Sequence, residues 1–146
     1  MIDGMDSLDK FVRNLQQQIN RENEQCYSPV IVKHWKNPRN WGIMHDADGY
    51  GRFTGPCGDT MEISIIIQDG KISKCTFDTD GCGTTIACGS IITELAVGKS
   101  FTEAKEIDQA VMLTYCGRMP EESAHCALLA VTTLQNALNN YESKRP

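Results

Sequence analysis

Apolar residues recur along this chain in two rhythms, and the switches between them mark out the elements. From Ser7 to Gln25, Leu8, Phe11, Val12, Leu15 and Ile19 fall at helical spacing among Gln, Asn and Glu, with Ser7 able to cap. A second helix is predicted from Ser28-Pro29, a cap followed by proline at the first helical position, to about Lys36. It stops before Asn37-Pro38, because the residue ahead of a proline avoids helical angles. The period then drops to two. Tyr50 to Thr54 is a short predicted strand, weakened by Gly49 and Gly51. In Thr60 to Gln68, Met61, Ile63, Ile65 and Ile67 point one way, and Glu62, Ser64 and Gln68 the other. Asp69-Gly70 is a two-residue hairpin signal, and Lys71 to Thr79 returns with Cys75 and Phe77 on one face.

After Gly83 the helical rhythm resumes. Thr84 to Val97 carries Ile86, Ile91 and Leu95, and Gly98 stands where a helix ends. Ser100 to Glu103 matches a capping box opening a short helix through Lys105 or Glu106, and Ala110 to Leu113 is a further helical turn. Arg118-Met119-Pro120 breaks the pattern. Glu121 to Tyr141 is the longest predicted helix, with Leu128, Val131, Leu134, Gln135 and Leu138 near one face. Strands followed by helices predict an α+β fold: a small antiparallel sheet of about three strands with helices packed on one face. Residues 1–26 read as an N-terminal helical extension and residues 27–146 as one domain.

Composition narrows the classes. With 146 residues, 40% hydrophobic and 23% charged, the chain is the size and polarity of one soluble domain. A net charge of −5 argues against nucleic acid as a partner. No apolar run approaches the roughly 18 residues of a membrane span, so no membrane partner is expected. Met1-Ile2-Asp3-Gly4-Met5-Asp6 lacks the basic and apolar regions of a leader, which points to the cytoplasm. In that reducing setting seven cysteines, an odd number, do not make a disulfide framework.

Three short motifs carry the chemistry. Cys57-Gly58-Asp59 precedes the best strand, Gly81-Cys82-Gly83 lies between hairpin and helix, and His125-Cys126 falls in the first turns of the last helix. All lie at ends of regular elements, where loops can gather them at one end of the sheet. The flanking glycines let the backbone bend and approach closely. Thiolates suit iron–sulfur clusters and zinc, and imidazole is compatible with both. Cys75 reads as a core residue, Cys26 and Cys116 as incidental, and His34 and His45 as surface histidines. Cys88 either lines the site or packs in the core.

From about Tyr27 to Tyr141 the chain resembles the NifU/IscU family of iron–sulfur cluster assembly scaffolds. The resemblance is carried by Asn37-Pro38-Arg39-Asn40-x-Gly42, Gly55-Pro56-Cys57-Gly58-Asp59-x-Met61 and Asp80-Gly81-Cys82-Gly83-Thr84-Thr85-Ile86-Ala87. Thr93-Glu94-x-x-x-Gly98-Lys99 and His125-Cys126 complete it. It implies a scaffold rather than an enzyme, one that receives sulfur from a cysteine desulfurase and builds a transient 2Fe–2S cluster for acceptor apoproteins. An iron donor or a ferredoxin belongs to the same implied set of partners. By resemblance the ligands for iron are Cys57, Cys82 and Cys126, with Asp59 and His125 as alternating or additional ones, and zinc can occupy the apo site. Cys126 is then the first persulfide acceptor, its place near a helix N-terminus favouring the thiolate. A hard carboxylate in place of a fourth thiolate should weaken the hold on the cluster, which assigns Asp59 to keeping it transferable.

The departures are specific. Many bacterial scaffolds carry Leu-Pro-Pro-Val-Lys ahead of the His-Cys pair, where a dedicated Hsp70 chaperone binds; here the stretch reads Met119-Pro120-Glu121-Glu122-Ser123, which puts that docking in doubt. Cys88 stands where the family commonly has serine. With no C-terminal C-x-x-C domain the chain reads as the stand-alone scaffold, and the absence of a long insertion between Cys82 and Cys126 argues against the zinc-dependent sulfur-transfer branch of the same superfamily. The main alternative is a zinc-containing sulfurtransferase that relays persulfide through the same residues. A structural zinc module is a weaker reading, since a chain of 146 residues with its own core should survive zinc removal; so is a Cys/His hydrolase, since adjacent helical residues point about 100° apart and leave His125 badly placed as a base for Cys126.

Overall fold

A computed structural model describes residues 27–144. The predicted helix from Ser7 to Gln25, and Cys26, lie outside the described residues. Helix α1 (Pro29–Lys36) starts where proline and cap dictate: the Ser28 hydroxyl accepts from the Ile31 amide at 3.2 Å. Strands β1 (Gly49–Thr54), β2 (Thr60–Gln68) and β3 (Lys71–Thr79) form one antiparallel sheet in the order β1-β2-β3. Asp69 (φ 56°) and Gly70 (φ 77°) take the left-handed conformations that a two-residue turn between twisted strands needs.

Register explains the core. Gly49–Ile65–Cys75, Gly51–Ile63–Phe77 and Phe53–Met61–Thr79 stand in rows across one face. A bulge between Ile66 and Ile67 then shifts the register, so that Ile67 pairs with Ile72. Helix α2 (Gly83–Ala96) packs over β3, and the long α5 (Ala124–Lys144) lies over β1 and β2. Helices on one face of a three-stranded sheet is the predicted architecture. The opposite face is not bare: Ser64 is buried there, and its hydroxyl lies 3.4 Å from the amide of Met44.

The two glycines that weakened the prediction of β1 are what lets α5 sit down. A Cβ on Gly51 would lie 2.4 Å from the Ala137 nitrogen and 2.5 Å from the Thr133 carbonyl oxygen, and one on Gly49 would lie 2.6 Å from the Ala137 oxygen. Strand and helix meet backbone to backbone.

Four expectations need correcting. The turn at Ala110–Leu113 is part of a longer helix, α4 (Gln109–Cys116), because the Asp108 side chain caps it by accepting from the Val111 amide. It follows α3 (Phe101–Lys105), whose capping box is present as expected. The last helix starts later, since Glu121–Ser123 forms a 3-10 turn and α5 begins at Ala124. Leu128 is 46% exposed, whereas Val131, Leu134 and Leu138 are buried as expected, together with Cys126, Ala130, Thr133 and Ala137. Gln135 uses its amide to donate to the Ala104, Lys105 and Ile107 carbonyls, which ties α3 to α5. His34 is also buried: its Nδ1 lies 2.7 Å from the Ser90 hydroxyl. Among the described residues no helix is long and apolar enough to cross a membrane.

Candidate metal centre

The two loops at one end of the sheet are clamped together before any ligand is considered. The Gly55 amide donates to Asp59 O at 2.9 Å and the Gly58 amide to Gly55 O at 3.0 Å, with Gly58 at φ 93°. That tight turn exposes Cys57 and sets Asp59 at the foot of β2. Asp80 joins it to the next loop, its Oδ1 accepting from the Thr60 amide at 2.8 Å. Gly81 is needed where the loops touch. A Cβ there would lie 2.7 Å from the Thr85 side chain and 2.9 Å from Asp59 Oδ2.

Thr85, in the first turn of α2 and fully buried, is the hub. Its hydroxyl donates to Asp59 Oδ2 at 3.1 Å. The same oxygen lies 3.8 Å from Cys82 Sγ and 3.4 Å from Cys126 Sγ. Cys82 occupies the cap position of α2 but makes no side-chain capping bond, which leaves its exposed thiol available. Cys126 is the third residue of α5, so two helix N-termini, each carrying partial positive charge, meet at this point. The Tyr27 hydroxyl braces them, 2.9 Å from Ser123 Oγ and accepting from Thr84 Oγ1 at 3.1 Å.

His125 completes the mouth. Its Nδ1 donates to the Glu122 carbonyl oxygen at 2.6 Å, and its Nε2 faces Cys126 Sγ at 3.7 Å, within hydrogen-bond reach. Asp59, Cys82 and Cys126 are therefore gathered around Thr85, with His125 beside Cys126. Cys57 stands on the loop tip above them, where the negative charge of its thiolate bears on Cys126. Among the described residues, no three His, Cys, Asp or Glu side chains are drawn into a closed metal-ligand group. The donors are soft thiols, one imidazole and one carboxylate, mostly open to solvent, a set whose chemistry fits iron–sulfur species or zinc.

Cys126 departs from expectation. Burial, to 2% exposure, pushes its thiol up to about 11. The Thr85 hydrogen bond pulls the other way, and the negative charges of Cys82, Cys57 and Asp59 add to the rise. Desolvation outweighs the helix dipole that the sequence led us to expect.

Cys75 is core, as expected, its thiol pushed up to about 12 by burial alone. Cys88 and Cys116 are both fully buried in the core, and the neighbouring Cys116 together with burial pushes the Cys88 thiol well up. Cys116 is thus not incidental. Reading the sequence missed Thr85 and Tyr27, because a threonine after Cys-Gly and a tyrosine before a helix cap carry no signal of their own.

A family model described as the NifU-like N terminal domain matches residues 26–146. Iron-sulfur cluster assembly scaffold protein IscU 1 of Archaeoglobus fulgidus is 40% identical over 119 residues, covering 81% of this chain and 78% of its own. Iron-sulfur cluster assembly scaffold protein IscU of Escherichia coli is 37% identical over 125 residues, covering 82% and 97%. Among solved structures, a NifU-like protein (N-terminal) from Brucella abortus superposes with a TM-score of 0.64 at 17% identity, over 82% of this chain and 96% of that one. At that identity the superposition speaks for the fold alone.

Proposed function

The chain belongs to the NifU-like N-terminal domain family, that of the IscU iron–sulfur cluster assembly scaffolds, and from that premise we propose that it builds a labile 2Fe–2S cluster as cargo. Cys57, Cys82 and Cys126 are its thiolate ligands, and Asp59 and His125 supply the fourth donor by turns. Sulfur comes from a cysteine desulfurase, arriving first on Cys126, and the finished cluster leaves for acceptor apoproteins.

One observation carries the reading: a carboxylate and two thiols, from three separate stretches of chain, converge on the single hydroxyl of Thr85. Structural economy does not ask for that meeting, since a buried threonine needs only one partner. Exposure then divides the labour. Cys57, Cys82 and His125 are open to solvent, so iron, sulfur and acceptor can reach them. Buried Cys126 holds the inner edge and keeps its proton until a cation or sulfur displaces it. Asp59 is already engaged by Thr85, so its oxygen is a ligand that can be given back, which keeps the cluster transferable.

Anaerobic reconstitution with ferrous iron and sulfide tests this. The expected result is the visible absorption of a 2Fe–2S cluster, lost on adding an apo-acceptor. A protein that stays colourless yet carries persulfide would be a sulfur relay instead, and one that takes up neither would refute the proposal.

A further inference from the structure

A threonine inside a helix has an easy hydrogen-bond acceptor in its own backbone. Thr93, Thr114 and Thr133 use it, each donating to a carbonyl three or four residues back, at 2.7, 2.9 and 2.7 Å. Thr85 does not. It is the third residue of α2, so the residues three and four back lie ahead of the helix, and its proton goes to Asp59 Oδ2, 26 residues away in sequence. Gly81 keeps the space beside this bond clear, since a Cβ there would lie 2.7 Å from the Thr85 side chain and 2.9 Å from Asp59 Oδ2. Thr85 is fully buried, so water does not compete for the proton. One carboxylate oxygen is thereby fixed, while Oδ1 has no hydrogen-bond partner among the described residues. A carboxylate held by one oxygen presents the other in a set direction, which is how metal-ligating carboxylates are commonly oriented. The same Thr85 oxygen lies 3.4 Å from Cys126 Sγ and 3.8 Å from Cys82 Sγ, so carboxylate and thiols are referenced to one atom.

We propose that Thr85 is a positioning residue that makes Asp59, rather than His125, the first fourth ligand of a metal held by Cys57, Cys82 and Cys126. The inference rests on the ligand set proposed above and sets the order in which its two alternating donors are used. They are held by different means. Asp59 is oriented by Thr85 before a metal arrives and can ligate through Oδ1 without giving up that bond. His125 is exposed and is held through Nδ1 by the Glu122 carbonyl, a bond in which Thr85 has no part. To ligate, its Nε2 has to turn from the 3.7 Å contact with Cys126 Sγ. Removing the Thr85 hydroxyl therefore frees the carboxylate and leaves the imidazole anchored as before. The fourth position then passes from Asp59 to His125.

The test uses the full chain, labelled with ¹⁵N histidine and loaded with zinc. Long-range proton–nitrogen NMR reads whether a metal sits on His125 Nε2, and alkylation mapped by mass spectrometry reads which cysteines the zinc protects. In the natural chain the expected result is protection of Cys57, Cys82 and Cys126, with His125 Nε2 free of metal. Thr85→Val removes the hydroxyl at nearly constant shape. Its His125 Nε2 should carry the zinc, and its zinc affinity should fall about tenfold or more in competition with a chromophoric chelator. Thr85→Ser keeps the hydroxyl and should behave as the natural chain does, the reverse of what a space-filling role predicts. Should Thr85→Val fail to fold, Thr85→Ala carries the same test. Zinc on His125 Nε2 in the natural chain, or a His125 signal unchanged by loss of the hydroxyl, would overturn this inference and leave the scaffold reading intact. Zinc that protects none of the three cysteines would overturn the ligand set as well.

Discussion

Substituting Gly51 by alanine should damage the fold and the metal centre together. The added Cβ would lie 2.4 Å from the Ala137 nitrogen, 2.5 Å from the Thr133 oxygen and 3.0 Å from the Ala137 Cα. All three are backbone atoms of α5, so no side chain can rotate away. Restoring an ordinary contact of about 3.4 Å means lifting the helix off β1 by about 1 Å. Overpacking of this kind costs about 1–3 kcal/mol, and the rigidity of the neighbours places it near the upper end. At about 2.1 cal/mol/K per residue, the fold from 27 to 144 has an unfolding entropy of about 0.25 kcal/mol/K, so about 3 kcal/mol lowers Tm by about 12 °C. Because α5 also carries His125 and Cys126, a shift of that size is a large fraction of the 3.4 Å between Cys126 and Thr85. Reconstituted cluster per folded protein should fall with the melting temperature. Thermal denaturation followed by circular dichroism, paired with absorption after reconstitution, measures both. A melt within 2 °C of the unsubstituted protein would refute the backbone-contact argument.

The site and its supports give further expectations. Asp59→Ala leaves the three thiols in place and removes the carboxylate we propose as the releasable ligand, so the reconstituted cluster should decay more slowly during transfer; an unchanged or shorter lifetime in a chelator chase counts against that role. Ser28→Ala removes the cap that accepts from the Ile31 amide and the hydroxyl that donates to the buried Cys116 carbonyl, and should cost about 1–2 kcal/mol by urea denaturation. His34 is held below its ordinary value of 6.5 chiefly by burial, with Lys33 and Arg39 acting the same way and Glu94 opposing. A depressed value means the fold prefers the neutral ring, so this stability is complete above about pH 6.5 and drains away as the pH falls toward the folded-state value. Melts from pH 8 to pH 5 should show the loss in the natural chain and a smaller one in His34→Gln; parallel profiles would show that His34 does not titrate this way.

The strands and most helix ends were legible because each is set by neighbours in sequence. Alternation from Met61 to Ile67, the Asp69-Gly70 turn and the caps at Ser28 and Ser100 act within a few residues, and the structure follows them. The candidate donors were legible only as a list: Cys57, Asp59, Cys82, His125 and Cys126 are thiols, a carboxylate and an imidazole at loop and helix ends. What lay hidden depends on distant chain. Gly49 and Gly51 looked like flaws in a strand until α5 came to rest on them. The burial of Cys116, which closes when α4 packs on the core, could not be seen either.

The sequence by itself thus determined the elements, their order and the donors available, because propensity, capping and side-chain chemistry are local. Only the tertiary structure decided that Thr85 is the hub, that Cys126 is a buried thiol pushed up to about 11, and that Cys88 and Cys116 are enclosed in the core. Burial and through-space contact set those properties, and both come into being when α2, α4 and α5 close over the sheet.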